Sequence, residues 1–123
     1  MHQTKPRILY VDDHEDTLFL VTVLLNQAGY EVITTDSVAH GLELAQHEQF
    51  DLYLLDTKLP DGTGINLCEE IREFDHETPI IFYSADAYEA QQCQALACGA
   101  QDYVVKPDVD RLPEVIARTL HAA

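Results

Sequence analysis

Hydrophobic positions along the chain alternate between short continuous runs and helical spacing. "RILYV" (Arg7 to Val11) predicts a strand, and "EDTLFLVTVLLNQAG" sets Leu18, Val21, Leu25 and Ala28 on one helical face before Gly29 offers a stop. "YEVITT" predicts the second strand. Ser37 is placed to cap a helix over "VAHGLELAQHEQ", with Val38, Leu42 and Ala45 on its buried side. The third strand is the apolar run Leu52 to Leu55, bounded by Asp51 and Asp56. Beyond Gly64, "INLCEEIREF" predicts a helix burying Ile65, Leu67 or Cys68, and Ile71. "PIIFYS" is the fourth strand, followed by the helix "AYEAQQCQALACGA", which Gly99 ends. "DYVVK" is the fifth strand. In the last helix, "RLPEVIARTLHA", Asp110 is the expected cap, and Pro113 falls in the first turn, where its missing N–H costs little. Strand-then-helix units with short apolar strands predict an α/β fold whose parallel sheet is covered on both faces.

A length of 123 residues with 46% hydrophobic composition suits one domain with an ordinary core. No internal repeat, low-complexity tract or linker interrupts it. No apolar stretch approaches the ~20 residues of a membrane span, and "MHQTKPR" lacks the apolar segment of a signal peptide, so a cytoplasmic protein is expected. Cys68, Cys93 and Cys98 show neither disulfide-framework nor zinc spacing. The 22 acidic residues against 7 Lys plus Arg leave a formal charge of -15, which argues against direct nucleic-acid or anionic-membrane binding. Net charge alone does not separate general solubility from a local cluster of carboxylates around a cation.

The ends of the strands make that distinction sharper. In open parallel sheets, ligands bind beyond the carboxyl ends of the strands. The first strand ends in Asp12 and Asp13, the third in Asp56, the fourth in Ser84 and the fifth in Lys106. Singly, each is an ordinary cap or turn residue. Together they predict one rim carrying several carboxylates and an amine. Carboxylates so close do not all stay ionised without a cation, and a hard ion with oxygen ligands, Mg2+ above all, is the natural partner. Asp56 is then a candidate nucleophile that accepts a phosphoryl group, with Lys106 neutralising charge and Ser84 donating a hydrogen bond.

The ordered set "VDD" (Val11 to Asp13), "LLDTKLPDGTG" with Asp56, Pro60 and Gly64, "YSA" (Tyr83 to Ala85) and "ALACGAQDYVVKP" (Ala95 to Pro107) resembles the receiver domain of two-component response regulators, the CheY-like family, over essentially the whole chain. The resemblance implies a flavodoxin-like, doubly wound five-stranded parallel sheet of order 2-1-3-4-5 with five helices. It implies that Asp56 is the phosphoacceptor, that Asp12, Asp13, Asp56 and the backbone carbonyl of Lys58 hold Mg2+ or Mn2+, and that Lys106, Ser84 and Ala85 bind the phosphoryl group. Ser84 and Tyr103 would form the switch, and the bond preceding Pro107 would be cis. Implied partners are a sensor histidine kinase or phosphotransfer protein, and an effector reached through the fourth helix, fifth strand and fifth helix. A phosphorylation-dependent homodimer is a further expectation, and the domain stands alone or is cut from a longer regulator. His14, Ser84 and Asp108 depart from the commonest family residues without removing a reactive group.

Lys58 and Asp86, each two residues beyond a key position and opposite in charge, are expected to gate the mouth of the site against water. His14, His40, His47 and His76 lack metal-ligand spacing and are expected to be solvated. Ala87, Tyr88 and Cys93 are expected to contribute an apolar surface, with Tyr88, Tyr103 and Leu112 as candidate partner contacts. Two other functions compete with this one. A Mg2+-dependent phosphatase or phosphotransferase is suggested faintly by "PDGTG", but the chain is short for a substrate pocket and Lys58 stands where that chemistry wants a second Asp. A phosphorylation-independent adaptor would need none of the acidic set.

Overall fold

The computed structural model describes residues 5–121. Five strands, β1 (Arg7–Val11), β2 (Glu31–Thr35), β3 (Leu52–Leu55), β4 (Ile80–Ser84) and β5 (Asp102–Val105), form one parallel sheet in the order β2-β1-β3-β4-β5. Between them run α1 (Glu15–Gln27), α2 (Val38–His47), α3 (Gly64–Arg72) and α4 (Glu89–Ala97), and α5 (Arg111–His121) closes the described chain. The predicted final helical residue, Ala122, lies outside the described residues.

Because successive side chains of a strand point to opposite faces, each apolar strand contributes to two cores. Leu9, Val11, Tyr53, Leu55, Ile80 and Phe82 pack with Leu67, Cys68 and Ile71 of α3 and with Ala45 and Ala95. On the other face, Ile8, Tyr10, Leu52, Leu54, Ile81 and Val104 pack with Val21 and Leu25 of α1 and with Leu112, Val115 and Ile116 of α5. Both Leu67 and Cys68 are buried, whereas Ala28, expected on the inner face of α1, is exposed.

Several element ends differ from expectation. The second helix stops at His47, because the carbonyl of Gln49 accepts from Arg7 and Glu48 pairs with the same guanidinium. The fourth begins at Glu89 instead of Ala87, since Ala85 to Tyr88 form a loop tied down through Asp86. Lys106 lies just past β5, although its N–H still donates to the Ser84 carbonyl at 2.8 Å. Ser37 caps α2 by accepting from the His40 N–H. Among the described residues no side-chain hydrogen bond from Asp110 caps α5, which starts instead from turns closed by the Asp108 and Val109 carbonyls.

The register sets the site. Val11 lies opposite Leu55, so the next residues, Asp12 and Asp56, emerge side by side, and the Asp56 N–H donates to the Val11 carbonyl at 2.9 Å. Ser84 lies opposite Val105, which brings Lys106 to the same rim. A two-residue hairpin, Lys58–Leu59 against Gly62–Thr63, then turns the chain back so that Thr63 caps α3 through the Asn66 N–H. At Gly64 a Cβ would collide with the Asp56 carbonyl oxygen, so the chain passes the site only as glycine.

Candidate functional site

Asp12 and Asp56 are buried at the rim, a costly position for carboxylates without compensation. Lys106 Nζ supplies part of it, 2.8 Å from Asp12 Oδ2 and 3.2 Å from Asp56 Oδ2. The amine also lies 5.6 Å from the centre of the Tyr83 ring. Tyr10, buried on β1 and pointing the same way as Asp12, donates its hydroxyl to Asp12 Oδ2 at 2.6 Å. Burial and the neighbouring Asp12 charge hold that phenol protonated as a donor.

The two carboxylates titrate together and are pushed apart. Burial raises the Asp56 carboxyl above its ordinary value, the Asp12 charge adds to this, and Lys106 and the Thr57 N–H oppose it. Burial acts in the same sense on Asp12, but hydrogen bonds from Lys106, Tyr10 and His14 outweigh it and hold that carboxyl low. One amine is shared between two acids, and its stronger hold on Asp12 leaves the Asp56 carboxyl the higher of the two.

Asp56 Oδ1 accepts the Thr57 N–H at 2.7 Å, which leaves Oδ2 facing Lys106. Ser84 Oγ is 2.6 Å from Thr57 Oγ1 and accepts the Asp86 N–H at 3.1 Å. Tyr103, stacked near Phe82, donates its hydroxyl to the Asp86 carbonyl at 2.6 Å. A cleft of about 620 Å³ opens over Asp56, Ser84, Ala85 and Lys106, with Lys58 and Asp86 among its lining residues. The strand-end residues therefore come together, and the Lys106–Pro107 bond is cis.

Other expectations fare differently. No ion pair joins Lys58 and Asp86 among the described residues; both line the cleft, and Asp86 Oδ1 accepts the Tyr88 N–H. Leu112 is fully buried and Tyr103 nearly so, which removes both as ready partner contacts; Tyr88 is 79% exposed. His14 is partly solvated, yet its Nδ1 points into the acids, 2.8 Å from Asp12 Oδ1. Sequence reasoning passed over Tyr10 and Thr57 as well. The period-two spacing of Tyr10 from Asp12 was the available signal for the first.

Ligand atoms of Asp12, Asp13, His14 and Asp56 lie within 4.8 Å of one another. Such an oxygen-rich group, over-supplied with negative charge, fits a hard divalent cation. No helix among the described residues is long and apolar enough to cross a membrane.

The family model "response regulator receiver domain" matches residues 8–117. The chain is 38% identical over 112 residues to the alkaline phosphatase synthesis transcriptional regulatory protein PhoP of Bacillus subtilis, covering 91% of this chain and 46% of that one. The chain spans about half the length, or less, of the curated relatives it matches. A CheY-like receiver domain protein from Methanospirillum hungatei JF-1 superposes with a TM-score of 0.90 at 32% identity, covering 95% of this chain and 94% of that one. The receiver domain of sensor histidine kinase PA1611 from Pseudomonas aeruginosa PAO1 superposes at 0.88 with 25% identity, over 97% of this chain and 100% of that one; its crystal structure has a magnesium ion coordinated in the active site cleft.

Proposed function

Because this chain belongs to the response regulator receiver domain family of two-component signalling, we propose that it is a phosphoacceptor switch whose Asp56 takes a phosphoryl group from the phosphohistidine of a sensor kinase or phosphotransfer protein. The observation that carries the proposal is the buried Asp56 carboxylate, 3.2 Å from Lys106 and clustered with Asp12 and Asp13 beneath an open cleft. In the transfer, an Asp56 oxygen attacks phosphorus, the new P–O bond forms as the P–N bond breaks, and the departing electron pair stays on the donor imidazole. Lys106, already within reach of Oδ2, neutralises charge on the phosphoryl oxygens, and Ser84 and the backbone at Ala85 line their other side. A divalent ion, Mg2+ or Mn2+, held by Asp12, Asp13, Asp56 and the Lys58 carbonyl, would add positive charge at the same place.

The switch follows from shared hydrogen bonds. If Ser84 turns its hydroxyl towards a phosphoryl oxygen, it releases Thr57 and the Asp86 N–H, and the Asp86 carbonyl is what holds the Tyr103 hydroxyl. The resulting movement of Tyr103 would alter the surface of α4, β5 and α5, offered to an effector domain, an effector protein or a second copy of the chain. Lys58 and Asp86 flank the mouth, and closure between them would slow the attacking water once Asp86 leaves the Tyr88 N–H. An exposed pair of that kind changes phosphoryl lifetime by no more than about fivefold, and equal decay in Lys58→Ala, Asp86→Ala and the parent protein rejects the gate.

Incubation with Mg2+ and acetyl phosphate, followed by mass measurement, tests the main proposal. A labile gain of one phosphate that is absent in Asp56→Asn is expected. Steady release of phosphate from varied substrates would favour a phosphatase, and no adduct from acetyl phosphate or a kinase would favour an adaptor.

A further inference from the structure

His14 stands among the acids of the rim without a role in the phosphoryl chemistry. Its Nδ1 lies 2.8 Å from Asp12 Oδ1, 3.3 Å from Asp13 Oδ1 and 3.5 Å from Asp56 Oδ2. The other oxygens of the two buried acids are already engaged. Asp12 Oδ2 accepts from Tyr10 and lies against Lys106, and Asp56 Oδ1 accepts from Thr57. Around the imidazole nitrogen, Asp12 Oδ1 also accepts the His14 N–H and Asp56 Oδ2 also meets Lys106, yet ligand atoms of all four residues lie within 4.8 Å of one another, close enough to share one cation. Lys106 Nζ, 3.5 Å from Nδ1, bounds this group on the remaining side.

The spacing suits a shared ion. Two ligands ~2.1 Å from a metal on neighbouring corners of an octahedron stand ~3 Å apart, close to the separations between Nδ1 and the carboxylate oxygens. With its proton on Nε2, the ring offers Nδ1 as a neutral donor of intermediate softness. Magnesium gains little from such a ligand, whereas manganese, cobalt, nickel and zinc accept imidazole readily, with affinity rising from manganese to nickel.

We propose that His14 is a nitrogen ligand of this cation site and tilts its selectivity from magnesium towards first-row divalent transition ions. The inference rests on the acidic cluster being a cation site, as the proposed function holds, but not on phosphoryl transfer to Asp56. It also accounts for the ring's orientation: the His14 side chain, at the start of α1, is 60% exposed, yet its Nδ1 faces the acids.

The test is direct titration of the parent protein and His14→Gln with Mg2+, Mn2+ and Ni2+, following heat and amide resonances. Paramagnetic broadening by Mn2+ and Ni2+ centred on Asp13 and Asp56 assigns binding to this cleft, apart from weak binding at surface histidines such as His40 or His76. The expected result is roughly tenfold or greater loss of Ni2+ affinity at the cleft in His14→Gln, a smaller loss for Mn2+, and a change under about twofold for Mg2+. Equal losses for all three ions, or an unchanged Ni2+ affinity, overturns the proposal. The amide spectrum of the variant without metal reports that its fold is intact. A parent protein that shows this selectivity but takes no phosphate from acetyl phosphate or a kinase refutes the phosphoacceptor role alone.

Discussion

Asp75 and Asp56 are carboxylates at opposite rims of the same sheet, and their surroundings push them in opposite directions. At the amino-terminal rim, Asp75 collects the N–H groups of Glu77 and Thr78 and the Thr78 hydroxyl, with the Tyr53 hydroxyl further away at 3.4 Å. Burial alone would raise its carboxyl, but these donors hold it below the ordinary value. Close by, Arg7 serves Glu31, Glu48 and the Gln49 carbonyl while lying 4.9 Å from the Phe50 ring centre. Charge and hydrogen bonding balance there. At the carboxyl-terminal rim one lysine pairs with both Asp12 and Asp56, Asp13 adds a third carboxylate to the cluster, and the Asp56 carboxyl is raised. A rim whose charges are satisfied locally serves the fold, and a rim left with surplus charge is arranged for something that arrives from solution.

Removing the Lys106 amine should give the largest effect. In Lys106→Met, phosphate incorporation from acetyl phosphate should fall about 100-fold or more, as for loss of a single group that stabilises developing charge. Urea unfolding should show a loss of about 3 kcal/mol, since two buried acids lose their partner. Unchanged labelling would mean that Lys106 serves the fold only.

Gly64→Ala comes next. Its Cβ would collide with the Asp56 carbonyl oxygen, a backbone atom that no rotamer change can move aside. A loss of about 2–3 kcal/mol is expected in urea unfolding, together with shifted amide resonances at Asp56 and Thr57. A variant as stable as the parent would contradict the close approach.

Asp56→Asn should act in the opposite sense, stabilising the metal-free protein by about 1 kcal/mol at neutral pH. The sign follows from the raised carboxyl: between the unfolded value near pH ~4 and the higher folded value, the native state holds a proton that the unfolded chain releases. Its cost is complete above the folded value and vanishes at low pH. Melting curves from acid to neutral pH should therefore converge for variant and parent as pH falls. Added Mg2+ should stabilise the parent more.

The smallest effect belongs to the other rim. Asp75→Asn should cost about 1 kcal/mol and leave acetyl phosphate labelling unchanged. Here the carboxyl is depressed, so its contribution is present above pH ~4 and is lost as pH falls through the lower folded value. The variant should show a flatter acid limb of stability, and altered labelling would break the division between the rims.

Much of the architecture was legible because buried parallel strands are short apolar runs, as in Leu52 to Leu55, and because strand ends mark the ligand-binding rim. Element ends were less legible. The end of α2 depends on Arg7, distant in sequence, and the start of α4 on the bond the Asp86 N–H donates to Ser84 and the bond Tyr103 donates to the Asp86 carbonyl. His14 is exposed as expected, but the contact of its Nδ1 with Asp56 was hidden for the same reason, since the two residues are distant in sequence.

By itself the sequence determined the alternation of strand and helix, the surplus of acid, and which residue types stand at the strand ends, because these depend on local periodicity and composition. The tertiary structure decided which carboxyl is held low and which is raised, where the Asp86 side chain turns and what the imidazole of His14 faces. Those outcomes depend on distances of a few ångströms between residues far apart along the chain, where burial and Coulomb energy change steeply and sequence neighbours carry no information.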